Sequence, residues 1–326
     1  MVNNAIDVSI VIVCMNNLKN LYPCLDSIKK YTTVTYETFV VAYLFSKENL
    51  DKLRKDYPWI TIIESNEIRG FSENNNLALR QAKGKYCFIV NDDTEMKMPV
   101  IDVLISDFEK VKDNVACISP RTIYGDGSPQ TCGRPPKTWI TLLFSLLHIK
   151  KESDYKQWVN KPGLFKSYNI SGAAFLIKTE IFRKIGWFDE YYFFCPEDIK
   201  VGTVLNSIGY ECWVDADVYI YHYEGGSSRA KLNRTQLATT PTEVRGYIHF
   251  YTNGYILRRI IVSIVSIFTI ITRLCIYLFK GMFRSKPNND LIKAKAMLNT
   301  LRYSYGNKSP KEIFKTLYEK QILNSF

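Results

Sequence analysis

Two acidic stations in the chain have residue types suited to chemistry. The first, Asn91-Asp92-Asp93-Thr94-Glu95, ends the apolar run Cys87-Phe88-Ile89-Val90. A β-forming apolar run that stops on Asn-Asp-Asp reads as a buried strand delivering two carboxylates to the carboxyl edge of a sheet, where open α/β sheets bind ligands. Adjacent carboxylates repel, so a divalent cation, Mg²⁺ or Mn²⁺, is expected to hold them; an acidic loop capping the next helix is the plainer alternative. The second station is Glu197-Asp198, at the head of a helical stretch and preceded by Phe193-Phe194. The helix dipole alone accounts for acids at that place, but not for the aromatic wall before them. His222, one of three histidines, closes a β-rich run and meets Gly225-Gly226-Ser227-Ser228. It is either a hydrogen-bonded structural residue or a ligand leaning into a site.

The elements that must position these residues follow from periodicity. Residues 8–13 form a β-rich run, and Leu21, Leu25 and Ile28 then mark a helix. Strands are expected at 38–44, 60–64 and 87–90, with a charged helix to about residue 57, a polar turn at 69–76 and a helix at 77–82 ended by Gly84. A helix at 100–111 completes four strand–helix alternations, the pattern of a parallel sheet wound by right-handed crossovers. Residues 115–120 read as a strand, 121–136 as a loop, 171–177 as a strand, 180–185 and 199–208 as helices, and 211–214 and 218–222 as strands. The apolar stretch 139–147 reads as a helix packed on the domain, or as a surface facing lipid; it is too short to cross a bilayer.

Composition bounds the function. The chain has 326 residues, 46% of them apolar, which excludes global disorder. Its formal charge of +11, from 43 Lys and Arg against 32 Asp and Glu, suits an anionic partner: nucleic acid, a phosphorylated substrate or acidic lipid. The basic excess follows an apolar segment, not an aromatic stripe, which favours lipid and argues against nucleic acid. Eight cysteines without a C-x-x-C pair read as reduced core residues of a cytoplasmic protein. The first residues lack a basic region and a signal-peptide core, so secretion by such a signal is not expected.

In this order the motifs resemble glycosyltransferase family 2, inverting nucleotide-sugar transferases with a GT-A fold. The matching residues are the strand at 9–13 with Asn16, Gly70-Phe71 with Asn75-Asn76, and Gly84-Lys85-Tyr86 leading into Asn91-Asp92-Asp93-Thr94. Gly172-Ala173, Ile185-Gly186-Trp187-Phe188-Asp189-Glu190, Glu197-Asp198, and His222 with Gly226-Ser227 complete the set. The resemblance spans residues 8–228, and its strings are similar to those of rhamnosyltransferase-like members.

The resemblance implies roles residue by residue. Asp93, with Asp92 or Asn91, would hold Mg²⁺ or Mn²⁺ on the donor diphosphate, and His222 would complete the metal or diphosphate site. Asp198 would be the general base, with Glu197 beside it. Asn16, Asn66, Gly70, Asn75, Asn76, Asn91, Asp92 and Gly172 would surround the nucleotide and donor sugar. The family's Asp-Asn pair after the second strand is absent; Ala42-Tyr43-Leu44-Phe45-Ser46 stands there, leaving Tyr43 or Phe45 to stack on the base.

The expected organisation is an α/β GT-A domain at 1–230, with a nucleotide-sugar half at 1–120 and an acceptor half at 121–230, followed by a basic helical region at 231–326. Within that region, 255–279 is apolar but interrupted by Arg258, Arg259 and Arg273, which suits a helix lying in the membrane interface. A spanning hairpin and a helical oligomer interface are the competing readings. Basic amphipathic helices are expected at 291–303 and 310–323. The function expected is transfer of a sugar from a dTDP- or UDP-sugar to a hydroxyl of a bacterial surface glycan or its lipid-linked precursor, at the inner face of the cell membrane. A non-catalytic carbohydrate-binding protein retaining the fold is the alternative.

Overall fold

A computed structural model describes residues 5–223, 236–283 and 287–323. The chain divides into two compact units. Unit 1 comprises Met1–Pro136, Tyr155–Asp189 and Glu197–Ser227; unit 2 comprises Lys137–Asp154, Glu190–Pro196 and Ser228–Phe326. Two segments of the expected acceptor half, Lys137–Asp154 and Glu190–Pro196, group with the C-terminal helices. Gly225 to Ser228, including the matched Gly226-Ser227, lie outside the described residues.

Unit 1 opens with the expected alternation: β1 (Val8–Met15), α1 (Leu18–Tyr31), β2 (Tyr36–Tyr43), α2 (Lys47–Asp56), β3 (Thr61–Ser65), α3 (Phe71–Leu79) and β4 (Tyr86–Asn91). After these come β5 (Thr94–Met96), α4 (Val100–Asp107), β6 (Val115–Ile123), β7 (Leu164–Ser167), β8 (Ala174–Lys178), α6 (Thr179–Lys184), α7 (Glu197–Ser207) and β9 (Glu211–His222). One nine-stranded sheet runs in the order β3-β2-β1-β4-β8-β6-β9-β5, with β7 beside β9. Strands β1 to β4 pair in parallel. Strand β8 runs antiparallel to both β4 and β6, and β9 runs antiparallel to β5 and β7. The sheet is therefore parallel only in its first half and at β6–β9.

Alternation along the strands explains the continuous apolar runs. Phe88 and Val90 join a core with Ile10, Ile12 and Leu25 on one face, while Cys87 and Ile89 join Val11, Phe175 and Phe182 on the other. A strand covered on both faces must be apolar at every position. Helix α1 buries Leu21, Leu25 and Ile28 as its spacing dictates, and Asn17 caps it by accepting from the Asn20 N–H at 3.4 Å.

Two local expectations are corrected. The stretch 69–76 is not a turn: α3 begins at Phe71 after Gly70, whose N–H donates to Glu73 Oε2 at 3.1 Å. Gly84 lies beyond the end of that helix and serves close packing. A Cβ placed there would lie 2.4 Å from the Ser9 backbone nitrogen, so only glycine lets this segment reach β1.

Unit 2 is helical: α5 (Trp139–Leu146), α8 (Gln236–Thr252), α9 (Ile256–Phe283), α10 (Pro287–Tyr303) and α11 (Pro310–Leu323). Ile270, Leu274 and Tyr277 of α9 pack with Ala296 and Met297 of α10 and Leu237 of α8. The Ser304 hydroxyl donates to the Pro241 carbonyl at 2.7 Å, and Asn299 Nδ2 to the Leu237 carbonyl at 3.0 Å, fastening α8 to α10 and its end. Helix α8 was not legible in the sequence, because its buried face carries Thr242, Arg245 and Thr252 among the apolar residues.

Candidate active site

The first acidic station forms where β4 ends and the chain doubles into β5. The Thr94 hydroxyl donates to the Asn91 carbonyl at 2.8 Å, closing a four-residue turn with Asp92 and Asp93 at its tip. Short β5 then pairs with β9 so that Thr94 stands opposite His222, and the Tyr223 N–H donates to the Asp93 carbonyl at 3.0 Å. This register brings Asp93 Oδ1 within 3.4 Å of His222 Nε2.

Asp92 faces elsewhere. It meets the Cys14 thiol at the end of β1, a neighbour that follows from the parallel register pairing Val13 with Asn91. Burial pushes the Asp92 carboxyl up to about 7; the Cys14 hydrogen bond opposes that rise, and the charge of Asp93 adds to it. Burial likewise raises the Cys14 thiol. Asp93, Asp92 and His222 were expected to act as one metal-binding set; among the described residues no three His, Cys, Asp or Glu side chains form a metal-holding cluster, and Asp92 is hydrogen-bonded to Cys14 while still within the electrostatic reach of Asp93 and His222. Asp93 and His222 remain as a pair.

The second station is joined to the first through β8. The Asn91 N–H donates to the Ala173 carbonyl at 2.9 Å, and the next residue back, Gly172, donates its N–H to Asp198 Oδ2 at 3.0 Å. Asp198 Oδ1 accepts from the Ile199 N–H at 2.7 Å, so both carboxylate oxygens are held by backbone at the first turn of α7. Gly172 keeps this approach relaxed, because a Cβ there would stand 3.2 Å from Asp198 Oδ2, tighter than an ordinary contact. Glu197 is turned inward and only 6% exposed.

The asparagines divide into two groups. Asn16, exposed and with φ of 50°, accepts at Oδ1 from the Ser46 N–H at 3.0 Å and from Asn49 Nδ2 at 2.9 Å, tying the end of β1 to the start of α2. Asn66 is exposed just beyond β3. Asn75 and Asn76 instead lie buried inside α3. Asn75 Nδ2 donates to the Phe71 carbonyl, while Asn76 takes both backbone groups of Phe188, its Oδ1 accepting from N–H at 3.2 Å and its Nδ2 donating to C=O at 2.9 Å. These two were expected at the donor, and their amides are spent on the fold. Gly70 is likewise buried at the α3 cap. Tyr43 is 7% exposed, so its ring is not presented for stacking on a base, while Phe45 is half-buried against the core.

Sequence reasoning missed Cys14 and the turn-closing role of Thr94. Their signal was available in principle, since parallel strands ending together must place Cys14 beside Asp92. A cavity of 570 Å³ lined by Lys85, Tyr86, Phe108 and Lys178 lies at the opposite, amino end of β4 and takes no part in this constellation.

The family model described as glycosyl transferase family 2 matches residues 9–186. The O-antigen biosynthesis protein RfbC of Myxococcus xanthus is 23% identical over 209 residues, which make up 60% of this chain and 14% of that protein. The match therefore spans a small part of that relative's length. Among solved structures, GalNAc-T7 with UDP, GalNAc and Mn²⁺ superposes with a TM-score of 0.53 at 17% identity, covering 68% of this chain and 44% of that one. The mannosyltransferase PcManGT from Pyrobaculum calidifontis, in complex with GDP-Man and Mn²⁺, gives a TM-score of 0.51 at 14% identity, covering 98% and 88%. With a family model matching more than half of its length and a sheet shared with these transferases, the chain belongs to glycosyl transferase family 2 and has the GT-A fold.

Proposed function

We propose that this chain transfers a sugar, with inversion, from a nucleoside-diphosphate sugar to a hydroxyl of a bacterial surface glycan or its lipid-linked precursor. The observation that carries the reading is the hydrogen-bonded path from Asn91 through Ala173 and Gly172 to Asp198, which sets two acidic stations beside each other at the strand ends. A single displacement needs those two stations. One handles the leaving diphosphate, and the other takes the proton of the incoming hydroxyl.

In this scheme Asp198 accepts the acceptor's hydroxyl proton as the new C–O bond forms at the anomeric carbon and the bond to the diphosphate breaks. The backbone donors on both of its oxygens fix its direction. Glu197, buried next to it, shapes the first turn of α7. Asp93 and His222 offer one carboxylate oxygen and one imidazole nitrogen at the place where the diphosphate would lie. That donor set suits Mg²⁺ or Mn²⁺, which are commonly held by one or two protein ligands with substrate phosphates and water filling the shell. A cation bound there would supply Lewis-acid stabilisation to the departing diphosphate. Asn16 and Asn66, exposed at the ends of β1 and β3, border the proposed nucleotide position.

The structural neighbours support a nucleotide-sugar donor and a divalent ion, since GalNAc-T7 carries UDP with Mn²⁺ and PcManGT carries GDP-Man with Mn²⁺. The likeness to RfbC, an O-antigen biosynthesis protein, supports a surface glycan as product. Association with a membrane is supported by α9, whose segment Ile256–Met282 is long and apolar enough to cross a bilayer, and the inner face is proposed as the side where nucleotide sugars are held.

The test is a thermal-shift screen of the purified chain against dTDP-, UDP-, GDP- and CMP-sugars, with and without Mn²⁺. A ligand at 100 times its dissociation constant stabilises by about 2.7 kcal/mol, so a Mn²⁺-dependent rise with one nucleotide is expected. A folded sample that responds to none of them sinks the donor reading and leaves a fold without its substrate site.

A further inference from the structure

We infer that α5 and α9 together form one lipid-facing surface, and that α9 lies along an anionic bilayer instead of crossing it. The inference rests on the membrane attachment proposed above and names the surface that makes it.

Helix α9 has 28 residues and is about 42 Å long at 1.5 Å per residue. At about 100° per residue, the exposed side chains of Ile260, Ile264, Phe268, Ile271, Phe279 and Met282 fall within roughly 60° of a single line along its whole length. The helix carries no acid. Its basic residues Arg258, Arg259, Arg273 and Lys280 fall roughly 110–175° from that line, outside the apolar stripe. Burial runs along yet another side, where Ile270, Leu274 and Tyr277 meet α10. A helix with one packed side, one cationic side and one open apolar side is built to lie at an interface.

Helix α5 extends the same surface. Sequence reasoning preferred a packed helix here, yet none of its eight residues is buried. Ile140, Phe144 and Leu147 are 39–48% exposed, and Ile149 is 65% exposed, followed directly by Lys150 and Lys151. The Arg258 guanidinium joins the two helices, lying 5.9 Å from the Trp139 ring of α5 and 4.2 Å from the Tyr255 ring at the start of α9. An insertion between β6 and β7 thereby contributes apolar area to the C-terminal helix.

Three occupants could cover such a face, and charge selects among them. A crossing helix would carry Arg273 within the hydrocarbon, at a cost that an in-plane helix avoids. A second copy would bring like-charged flanks together with no acid on α9 to answer them. A bilayer containing anionic lipid takes the apolar stripe into its acyl boundary and attracts the cations beside it.

Cys275 lies on the stripe and is the exposed cysteine among those described; the others are buried or half-buried. The full chain, labelled there with the fluorophore NBD, is mixed with vesicles of phosphatidylcholine and phosphatidylglycerol or of phosphatidylcholine alone. Cys275→Ser supplies the labelling background. Anionic vesicles should shift the emission to the blue, in a salt-sensitive manner, and quenchers placed shallow on the acyl chain should act more strongly than deep ones. The double variant Ile140→Ser/Phe144→Ser, which alters only exposed positions, should bind vesicles about tenfold or more weakly. Stronger quenching from the bilayer centre overturns the in-plane arrangement, and undiminished binding by the double variant removes α5 from the surface. Dimers in lipid-free sedimentation with the label already blue-shifted would assign the face to a second copy. The nucleotide thermal shift, read on the same preparations, separates failure here from failure of the donor site.

Discussion

Asp93 and His222 stand side chain to side chain across the β5–β9 pairing, with Oδ1 and Nε2 3.4 Å apart and each side chain 12% exposed. The contact joins residues 129 positions apart in sequence, and it exists because three-residue β5 turns the chain back along β9. If this pair holds the ion that meets the diphosphate, Asp93→Ala and His222→Ala should each weaken Mn²⁺-dependent nucleotide binding by about 10–100-fold. Binding without metal should change little. Calorimetric titration with and without Mn²⁺ reads the difference, and excess chelator should reduce turnover of the unmodified chain to background.

Asp198 is held differently, by two backbone donors and not by another side chain. Asp198→Asn keeps one oxygen to accept and turns its amide nitrogen toward the other backbone N–H, so it should lose about 1–3 kcal/mol of stability yet still fold and bind nucleotide. Turnover should fall by about 10²–10⁴-fold, the usual contribution of a general base. Near-normal turnover would return the role to another group.

The first half of the sheet was legible because β1, β2 and β4 each carry a continuous apolar run and the strands are separated by helices of regular period. The later strands were harder. Strand β5 has three residues and β7 four, too short to carry an alternation, and their antiparallel pairing with β9 is fixed by residues far away in sequence. The acidic stations were visible by type, whereas the separation of Asp92 from Asp93 depends on where β1 ends. The asparagines of α3 were misread for a plainer reason. Three consecutive amides suggest a polar turn, and no periodicity announces that a helix will bury all of them.

Asn76 offers a direct test of that correction. Its amide satisfies both the N–H and the C=O of buried Phe188, whose ring packs against Phe71 and Phe182. Removing it leaves two buried backbone groups without their partner, at about 1–3 kcal/mol each. Asn76→Ala should therefore lower the thermal midpoint markedly, with nucleotide affinity preserved in the fraction that stays folded. A variant of normal stability and lost affinity would restore the donor-site role.

Glu243 on α8 gives a pH signature for unit 2. Burial raises its carboxyl from 4.5 to about 7. The native state then holds a proton that the unfolded chain releases, so this group makes the protein less stable as pH climbs from about 4.5 to 7, and above 7 a buried charge persists. Glu243→Gln removes that penalty. Its stability should match that of the unmodified chain near pH 4.5 and exceed it at pH 8 by on the order of 1–3 kcal/mol, read as a higher thermal midpoint at pH 8 only. A gap independent of pH would show that the carboxyl does not titrate there.

Gly172 separates positioning from chemistry at the base. A methyl group at this residue would come within 3.2 Å of Asp198 Oδ2 and 3.3 Å of its Cβ, tight enough to push the side chain by a few tenths of an ångström without closing off the fold. The Gly172 N–H that orients the carboxylate would remain in place. Displacements of 1 Å at a reacting group can cost about 10²-fold, so a shift of this size should lower kcat by roughly tenfold. Gly172→Ala should keep its thermal midpoint and its nucleotide affinity, since Asp93 and His222 are untouched. Combining it with Asp198→Asn should add little further loss, because both changes act on one carboxylate. Full additivity of the two in kcat would place the effect of Gly172 elsewhere, on the donor sugar itself.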